Sequence, residues 1–145
     1  MYENAVYAGI PEALSSLRTT GRRLFVVTAK PQLYAREIVR HFGLGEFFEA
    51  VYGPSEDGVM DDKAELIAHV LRRERCAPGE AAMIGDRSLD VLAARAGGVA
   101  AIGALWGYGS HGELTEAGAH ALAGYPSDVA AALDAAVTRS ARVEC

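Results

Sequence analysis

The sequence contains little cysteine and no long apolar run. It has two cysteines, Cys76 and Cys145, and neither belongs to a Cys-x-x-Cys pair or to a His/Cys cluster of the kind that binds zinc. No apolar stretch approaches the ~18 residues that a membrane-spanning helix needs. Because no secretory leader pattern is present either, we expect a protein of the reducing cytoplasm.

An excess of positive charge is also missing. Lys and Arg total 14 against 19 Asp and Glu, which gives a net charge of −5 at pH 7. Nucleic acids are bound by basic surfaces, so this balance argues against nucleic acid as the main partner. It leaves room for a small anionic substrate held by a few local positive groups. With 145 residues and 50% hydrophobic content, the composition is typical of one globular domain.

Short apolar segments alternate with amphipathic segments along the chain. The apolar segments, typical of buried strands, are residues 24–27, 50–52, 81–84 and 99–105. Proline and glycine positions and helical spacing predict helices between Pro11 and Gly21, between Pro31 and Gly43, from 62 to 75, from Ser88 to Gly97, and from 127 to 140. This alternation favours an α/β fold with a parallel sheet covered by helices on both faces.

Polar residues follow the predicted strands, where ligands of open parallel sheets bind. Thr28 ends the first strand, Gly85 and Asp86 end the third, and Asp90 lies four residues further on. Each has an ordinary structural explanation: Thr28 can cap a turn, Asp86 can be a turn residue, and Asp90 suits the first turn of a helix.

Lys63 is electrostatically misplaced, because it lies near the predicted start of a helix. Neighbouring Asp61 and Asp62 can offset its charge, and so can an anion bound at the same helix end. Together, a hydroxyl, a lysine and two carboxylates at strand tips suit a phosphate group bound with Mg²⁺.

Three motifs in this order resemble the haloacid dehalogenase (HAD) superfamily of phosphatases: "VVTAK", "DDKAELI" and "MIGDRSLDVLAARAGG". The stretches "VYAGIPEALSSLRTTGRRL", "HFGLGEFFEAVYG" and "AIGALWGYGSHGEL" resemble its phosphoglycolate phosphatase-like branch. The resemblance implies a Rossmann-like, doubly wound parallel sheet forming one HAD core domain over residues 1–145. Residues 1–8 resemble the end of the hinge that returns from the cap domain.

The same resemblance implies roles for individual residues. Thr28 matches the hydroxyl that hydrogen-bonds the transferring phosphoryl group, and Lys63 matches the lysine that steadies the phosphoryl oxygens. Asp86 matches a Mg²⁺ ligand, and Asp90 matches a second acid that supports or joins that metal site. Lys30 and the loop 106–110 are expected near the site, without an assigned chemistry.

The family's nucleophile, the first aspartate of a DxDx[TV] motif, has no counterpart in this sequence. We therefore expect a HAD core truncated at the N-terminus, without the first strand, the nucleophile and the cap domain, and with weak or no turnover. In the family the nucleophile strand lies between the Thr28 strand and the Asp86 strand. We predict that these two edges pair with each other, or are covered by a missing N-terminal segment or by a second copy of the chain.

Three interpretations follow from these residues. The first is the core of a Mg²⁺-dependent phosphatase that hydrolyses a small phosphate monoester, such as phosphoglycolate, a nucleoside monophosphate or another sugar phosphate. The second is a non-catalytic HAD-like module that binds phosphate or protein. The third is a phosphoacceptor receiver domain, which is disfavoured because receivers carry their acids first and their lysine last, whereas here the threonine comes first.

Overall fold

The computed structural model describes residues 9–28, 32–41, 43–54, 62–107, 109–136 and 142–144. In these ranges the strands are β1 (Leu24–Val27), β2 (Ala50–Tyr52), β3 (Ala81–Gly85), β4 (Ala100–Ala104), β5 (Ala121–Ala123) and β6 (Arg142–Glu144). The helices are α1 (Ile10–Thr19), α2 (Gln32–His41), α3 (Lys63–Glu74), α4 (Ser88–Ala96), α5 (His111–Ala117) and α6 (Val129–Ala136). The strands form one parallel sheet in the order β2-β1-β6-β3-β4-β5.

The sheet has an apolar core on each face because successive strand residues point to opposite sides. On one face, Ala81 and Met83 pack in a cluster with α3, α4 and α5, which contribute Leu66, Ile67, Val70, Val91 and Leu114. On the other, Ala82 and Ile102 pack with α1 and α6, which contribute Leu14, Leu17, Val129 and Leu133. Each of the larger side chains contributes about 1.5–3 kcal/mol by leaving water. The predicted doubly wound α/β fold is confirmed.

The predicted elements agree with the structure over most of the chain. Strands β1 and β2 have the predicted bounds, and helix α4 ends at Ala96, just before the two glycines. Helix α1 stops before Gly21, which takes a left-handed φ of 87° that favours glycine. The last helix is shorter than predicted: α6 begins at Val129 after a 3₁₀ turn, and residues 137–141 lie outside the described residues. Helix α5 and strands β5 and β6 were not predicted.

The centre of the sheet holds the chain's own C-terminal strand. β6 lies parallel to β1, with Leu24 opposite Val143, and parallel to β3, with Ala82 opposite Val143. Both edges are covered as predicted, but the alternative of direct β1–β3 pairing does not occur, because β6 lies between these strands and bonds to both. Coverage by a missing N-terminal segment or a second copy stays a prediction. The proposed hinge, residues 1–8, lies outside the described residues.

None of the helices in the part of the chain that the structure describes is long and apolar enough to cross a membrane.

Candidate active site

Thr28 stands immediately after β1, at the carboxyl edge of the sheet. Its backbone N–H donates to the carbonyl oxygen of Tyr52 at 3.0 Å. This bond continues the β1–β2 ladder one residue past the strand. Thr28 is therefore placed by the sheet itself, and its position at the edge does not depend on a flexible turn.

Lys63 is the first residue of α3. The helix is capped by Asp62, whose side chain accepts a hydrogen bond from the N–H of Ala64 at 3.0 Å. The Nζ atom of Lys63 lies 2.9 Å from Oδ1 of Asp90, and the two side chains are only 16% and 15% exposed. Asp62 thus caps the start of α3, whereas Lys63 forms an ion pair with Asp90 on a different helix. Asp61 and Lys30 lie outside the described residues.

Asp90 lies in the first turn of α4, and both of its carboxylate oxygens have protein partners. Oδ1 pairs with Lys63, and Oδ2 accepts the N–H of Arg87 at 3.3 Å. A Cβ atom on Gly85 would lie 2.3 Å from the Cβ of Asp90, so only glycine at the end of β3 admits this arrangement. One oxygen of Asp90 therefore serves the helix start, and the other pairs with Lys63.

Asp86 is enclosed by the segment that follows β4. A Cβ atom on Gly107 would lie 2.3 Å from Oδ2 of Asp86, and one on Gly109 would lie 2.0 Å from its carbonyl oxygen. Two glycines in "WGYG" therefore allow this segment to lie directly against the aspartate. Sequence reasoning placed the loop 106–110 near the site without a function, and the structure shows that its Gly107 and Gly109 lie directly against Asp86.

Glu113, in the first turn of α5, was missed by the sequence analysis. Its Oε2 atom accepts the N–H of Ser88 at 2.7 Å and Nε of Arg87 at 3.1 Å. The backbone bond from Ser88, followed by the bond from Arg87, lowers the pKa of the Glu113 carboxyl. The signal was present: Ser110 and Glu113 form the S-x-x-E pattern of a helix start, and Ser110 Oγ accepts the N–H of Glu113.

The four predicted site residues line one cavity. Thr28, Lys63, Asp86 and Asp90 are among its lining residues, and the cavity has a volume of about 360 Å³. The rest of its wall is apolar and includes Ile10, Leu14, Phe48, Trp106 and Val129. The same four residues also border a wider groove between α3 and α4, with exposed Leu89 and Leu92. The site is thus accessible from two sides.

The carboxylate oxygens at this site suit a hard cation for which water or substrate supplies most of the remaining ligands. Among the described residues, no group of three or more His, Cys, Asp or Glu side chains is placed to hold a metal ion. Mg²⁺ does not require such a cage, because one or two carboxylates, waters and phosphate oxygens suffice. Asp86 and Asp90 at one cavity meet that requirement, with Asp90 already holding two protein donors.

A family model described as haloacid dehalogenase-like hydrolase matches residues 2–104. This chain belongs to that family. Membership in the HAD superfamily excludes the receiver-type alternative, and it agrees with the parallel sheet and with the order of the threonine, lysine and aspartates.

Several curated proteins resemble the chain over most of its length. A 5'-nucleotidase of Pseudomonas aeruginosa is 47% identical over 131 residues, which are 90% of this chain and 58% of the relative. Tyrosine-protein kinase PtkA of Mycobacterium tuberculosis is 43% identical, covering 73% of this chain and 36% of the kinase. A phosphoglycolate phosphatase of Colwellia psychrerythraea is 30% identical, covering 77% and 49%.

Solved structures agree with these relatives. A predicted phosphatase from Clostridium acetobutylicum superposes with a TM-score of 0.83 at 36% identity, covering 86% of this chain and 57% of that protein. The chain therefore spans less than two thirds of the length of the HAD proteins that it matches. It is phosphatase-like in sequence and in fold.

Proposed function

We propose that this chain is the phosphate-binding core of a Mg²⁺-dependent HAD phosphatase whose substrate is a small phosphate monoester. The observation that carries the proposal is that Thr28, Lys63, Asp86 and Asp90 line one cavity at the carboxyl edge of a parallel sheet. Because the chain spans only 58% of its nucleotidase relative, the activity of a longer protein forms part of the proposal.

Each of the four residues has a chemical task in this proposal. The hydroxyl of Thr28 donates a hydrogen bond to a phosphoryl oxygen, and the ammonium of Lys63 offsets negative charge on the phosphate. Asp90 holds Lys63 in place at 2.9 Å. Asp86, enclosed by Gly107 and Gly109, is the carboxylate that would hold Mg²⁺.

Bound Mg²⁺ supplies positive charge beside the phosphate oxygens, which lowers the cost of adding negative charge there. The protein's contribution is to bring Asp86 and Lys63 to the same cavity. Asp86 comes from the tip of β3, whereas Lys63 comes from the start of α3.

Turnover by the chain alone is proposed to be weak or absent. Phosphatases that form an aspartyl-phosphate need an aspartate nucleophile, and the sequence has no DxDx[TV] motif. Asp62 is a poor replacement because its carboxylate caps α3. The second candidate is a HAD-like module that binds phosphate or protein without hydrolysing a substrate.

The substrate class rests on the names of the relatives. A 5'-nucleotidase and a phosphoglycolate phosphatase both act on phosphate esters of small molecules, so a nucleoside monophosphate and phosphoglycolate are the first two compounds to test. The apolar wall with Trp106 and Phe48 favours a leaving group with a flat apolar part.

The test measures hydrolysis of 4-nitrophenyl phosphate by the 145-residue chain, with and without Mg²⁺. The same samples are titrated with inorganic phosphate and with Mg²⁺ by calorimetry. Asp86→Asn removes the proposed ligand, and Asp134→Asn is the matched control, because Asp134 is an exposed acid that pairs with Arg22. We expect Mg²⁺ binding that Asp86→Asn abolishes and Asp134→Asn leaves intact, with little hydrolysis.

Equal Mg²⁺ binding by the wild type and Asp86→Asn would refute the metal site. Rapid Mg²⁺-dependent hydrolysis lost in Asp86→Asn would confirm that site and overturn the expectation of weak turnover. Phosphate binding without Mg²⁺ binding and without hydrolysis would favour the non-catalytic module.

A further inference from the structure

The first two backbone N–H groups after Asp86 are each bound by a carboxylate. The N–H of Arg87 donates to Asp90 Oδ2, and the N–H of Ser88 donates to Glu113 Oε2. N–H groups at a helix start have no partner within the helix, so α4 depends on these acceptors. Asp90 belongs to α4 itself, whereas Glu113 comes from α5, 25 residues further along the chain.

Glu113 is itself held firmly in its position. Its backbone N–H is bound by Ser110 Oγ at 3.0 Å, which fixes the start of α5. Its carboxylate also accepts a hydrogen bond from the Nε–H of Arg87, the residue next to Asp86. The carboxylate therefore joins α5 to the segment Asp86–Ser88 through both backbone and side chain.

The segment between β4 and α5 also lies against Asp86. Gly107 and Gly109 approach its side chain and its carbonyl oxygen so closely that a Cβ atom at either position would overlap it. Asp86 thus follows β3 directly, and Gly107 and Gly109 lie against it on the other side. Glu113 is the acidic residue beside these glycines; it lies within the stretch "AIGALWGYGSHGEL", but the predicted site gave it no role.

We propose that Glu113 is a positioning residue for the Asp86 site: by binding the Ser88 N–H and Arg87, it sets the orientation in which the Asp86 carboxylate meets a divalent cation. This inference rests on the proposed function, because it assumes that Asp86 binds Mg²⁺. Carboxylate ligands depend on outer hydrogen bonds for their orientation, and loss of such a partner typically weakens metal binding by about 10- to 100-fold. The lowered pKa of Glu113 agrees with a carboxylate that stays ionised in this network.

A purely structural role makes a different prediction. If Glu113 only caps α4, its removal lowers the melting temperature but leaves the Mg²⁺ affinity of the folded protein unchanged. If Glu113 positions Asp86, the affinity falls at temperatures where every variant is fully folded. Glutamine keeps an oxygen that can accept the Ser88 N–H, so it should restore part of the affinity that alanine loses.

The experiment titrates Mg²⁺ into the whole chain by calorimetry at a temperature well below each melting point. The variants are Glu113→Ala, Glu113→Gln and Asp86→Asn. The matched control is Glu116→Gln, which removes the same charge from an exposed position of the same helix. We expect Glu113→Ala to weaken Mg²⁺ binding by about 10-fold or more, Glu113→Gln by less, and Glu116→Gln by under about 2-fold. Amide hydrogen exchange should be faster at Ser88 in Glu113→Ala than in the wild type.

The proposed Mg²⁺ site at Asp86 and the positioning role of Glu113 are refuted by different results. If the wild type binds Mg²⁺ and Asp86→Asn does not, but Glu113→Ala binds as tightly as the wild type, the positioning role is wrong and the proposed function stands. If Glu116→Gln weakens binding as much as the Glu113 variants, the effect is one of net charge and the positioning role is again wrong. If the wild type and Asp86→Asn show the same Mg²⁺ titration, the proposed metal site and this inference both fail.

Discussion

Lys63 and Asp90 join the start of α3 to the first turn of α4 through an ion pair of 2.9 Å between Nζ and Oδ1. Both side chains are more than four-fifths buried, so water screens the pair less than it screens a surface pair. The pair stabilises the cation against the positive end of the helix dipole at the start of α3. It also fixes the ammonium at the edge of the cavity that holds Thr28 and Asp86.

Asp90→Asn should lower the free energy of unfolding, because it leaves the ammonium of Lys63 partly buried without its charged partner. We expect a loss of about 1–3 kcal/mol, below the range for fully buried pairs. Asp134→Asn is the control: its pair with Arg22 joins a carboxylate side chain that is 75% exposed, so its loss should cost under about 0.5 kcal/mol. Urea unfolding at neutral pH measures both. Equal losses in the two variants would show that burial of the Lys63–Asp90 pair has no energetic consequence.

Gly107→Ala should disturb Asp86 directly. The new Cβ would lie 2.3 Å from Asp86 Oδ2, so either the aspartate or the loop must move. We expect Mg²⁺ binding to weaken by at least about 10-fold and stability to fall by about 1–3 kcal/mol. Calorimetry with Mg²⁺ and urea unfolding measure the two effects.

The control for this prediction is Gly112→Ala in α5. Its nearest neighbour would be Ser110 Oγ at 3.9 Å, and alanine favours a helix interior over glycine by about 0.5–1 kcal/mol. Gly112→Ala should therefore keep Mg²⁺ affinity and be neutral or slightly stabilising. Unchanged Mg²⁺ affinity in Gly107→Ala would mean that the loop yields and that Asp86 is not confined by it.

Val143→Pro should weaken the centre of the sheet. Val143 lies opposite Leu24 on one side and Ala82 on the other, and proline supplies no N–H to either ladder. We expect a loss of about 2 kcal/mol or more in the free energy of unfolding. Exposed edges of β1 and β3 should also promote self-association, which light scattering would detect. Val143→Ile keeps the N–H, so it should remain close to the wild type in both measurements. A stable, monodisperse Val143→Pro protein would show that β6 contributes little to the sheet.

Because of Tyr52, the free energy of unfolding of the protein should fall as the pH rises above about 10. Burial, and then the hydrogen bond that its hydroxyl donates to Glu74, raise its pKa from 10.0 to about 12. Below pH 10 the phenol is neutral in both states. Between pH 10 and about 12 the unfolded chain ionises first, so the free energy of unfolding falls, by on the order of 2 kcal/mol at most for a partly exposed group.

Tyr52→Phe removes both the hydrogen bond and this titration. At pH 8 it should be less stable than the wild type by about 1–2 kcal/mol, and the difference should shrink as the pH rises towards 12. Urea unfolding of both proteins at pH 8, 10 and 11 measures the difference, and other alkaline titrations cancel in it. Tyr125→Phe is the control, because Tyr125 is 72% exposed. A Tyr52→Phe difference that stays constant with pH would contradict the raised pKa.

Local sequence patterns predicted most of the scaffold. Apolar runs such as 24–27 are strands because both faces of the sheet are covered, and helix ends follow from glycine and from the capping side chain of Asp62. The grouping of Thr28, Lys63, Asp86 and Asp90 was also predictable. In a parallel sheet all strand tips reach the same edge, so residues distant in sequence come together there.

Elements without a strong local pattern were not predictable. β6 has three residues and one apolar side chain, and it is a strand because β1 and β3 offer bonding edges on both sides. The loop 106–110 was expected near the site, but the role of its glycines was not predictable, and Glu113 was missed, for a similar reason. Gly107 matters because it lies against an aspartate 21 positions earlier, and Glu113 because its carboxylate binds the Ser88 N–H.

The sequence by itself determined the order of the elements, the residues at the strand tips and the family of the chain, because periodicity, capping and motif spacing are local properties. Only the tertiary structure decided that Lys63 pairs with Asp90, that Glu113 binds the N–H of Ser88, and that the C-terminal strand lies between β1 and β3. Those contacts join segments that lie far apart in the chain. Their energy depends on distances of about 3 Å that only the packed sheet and helices establish.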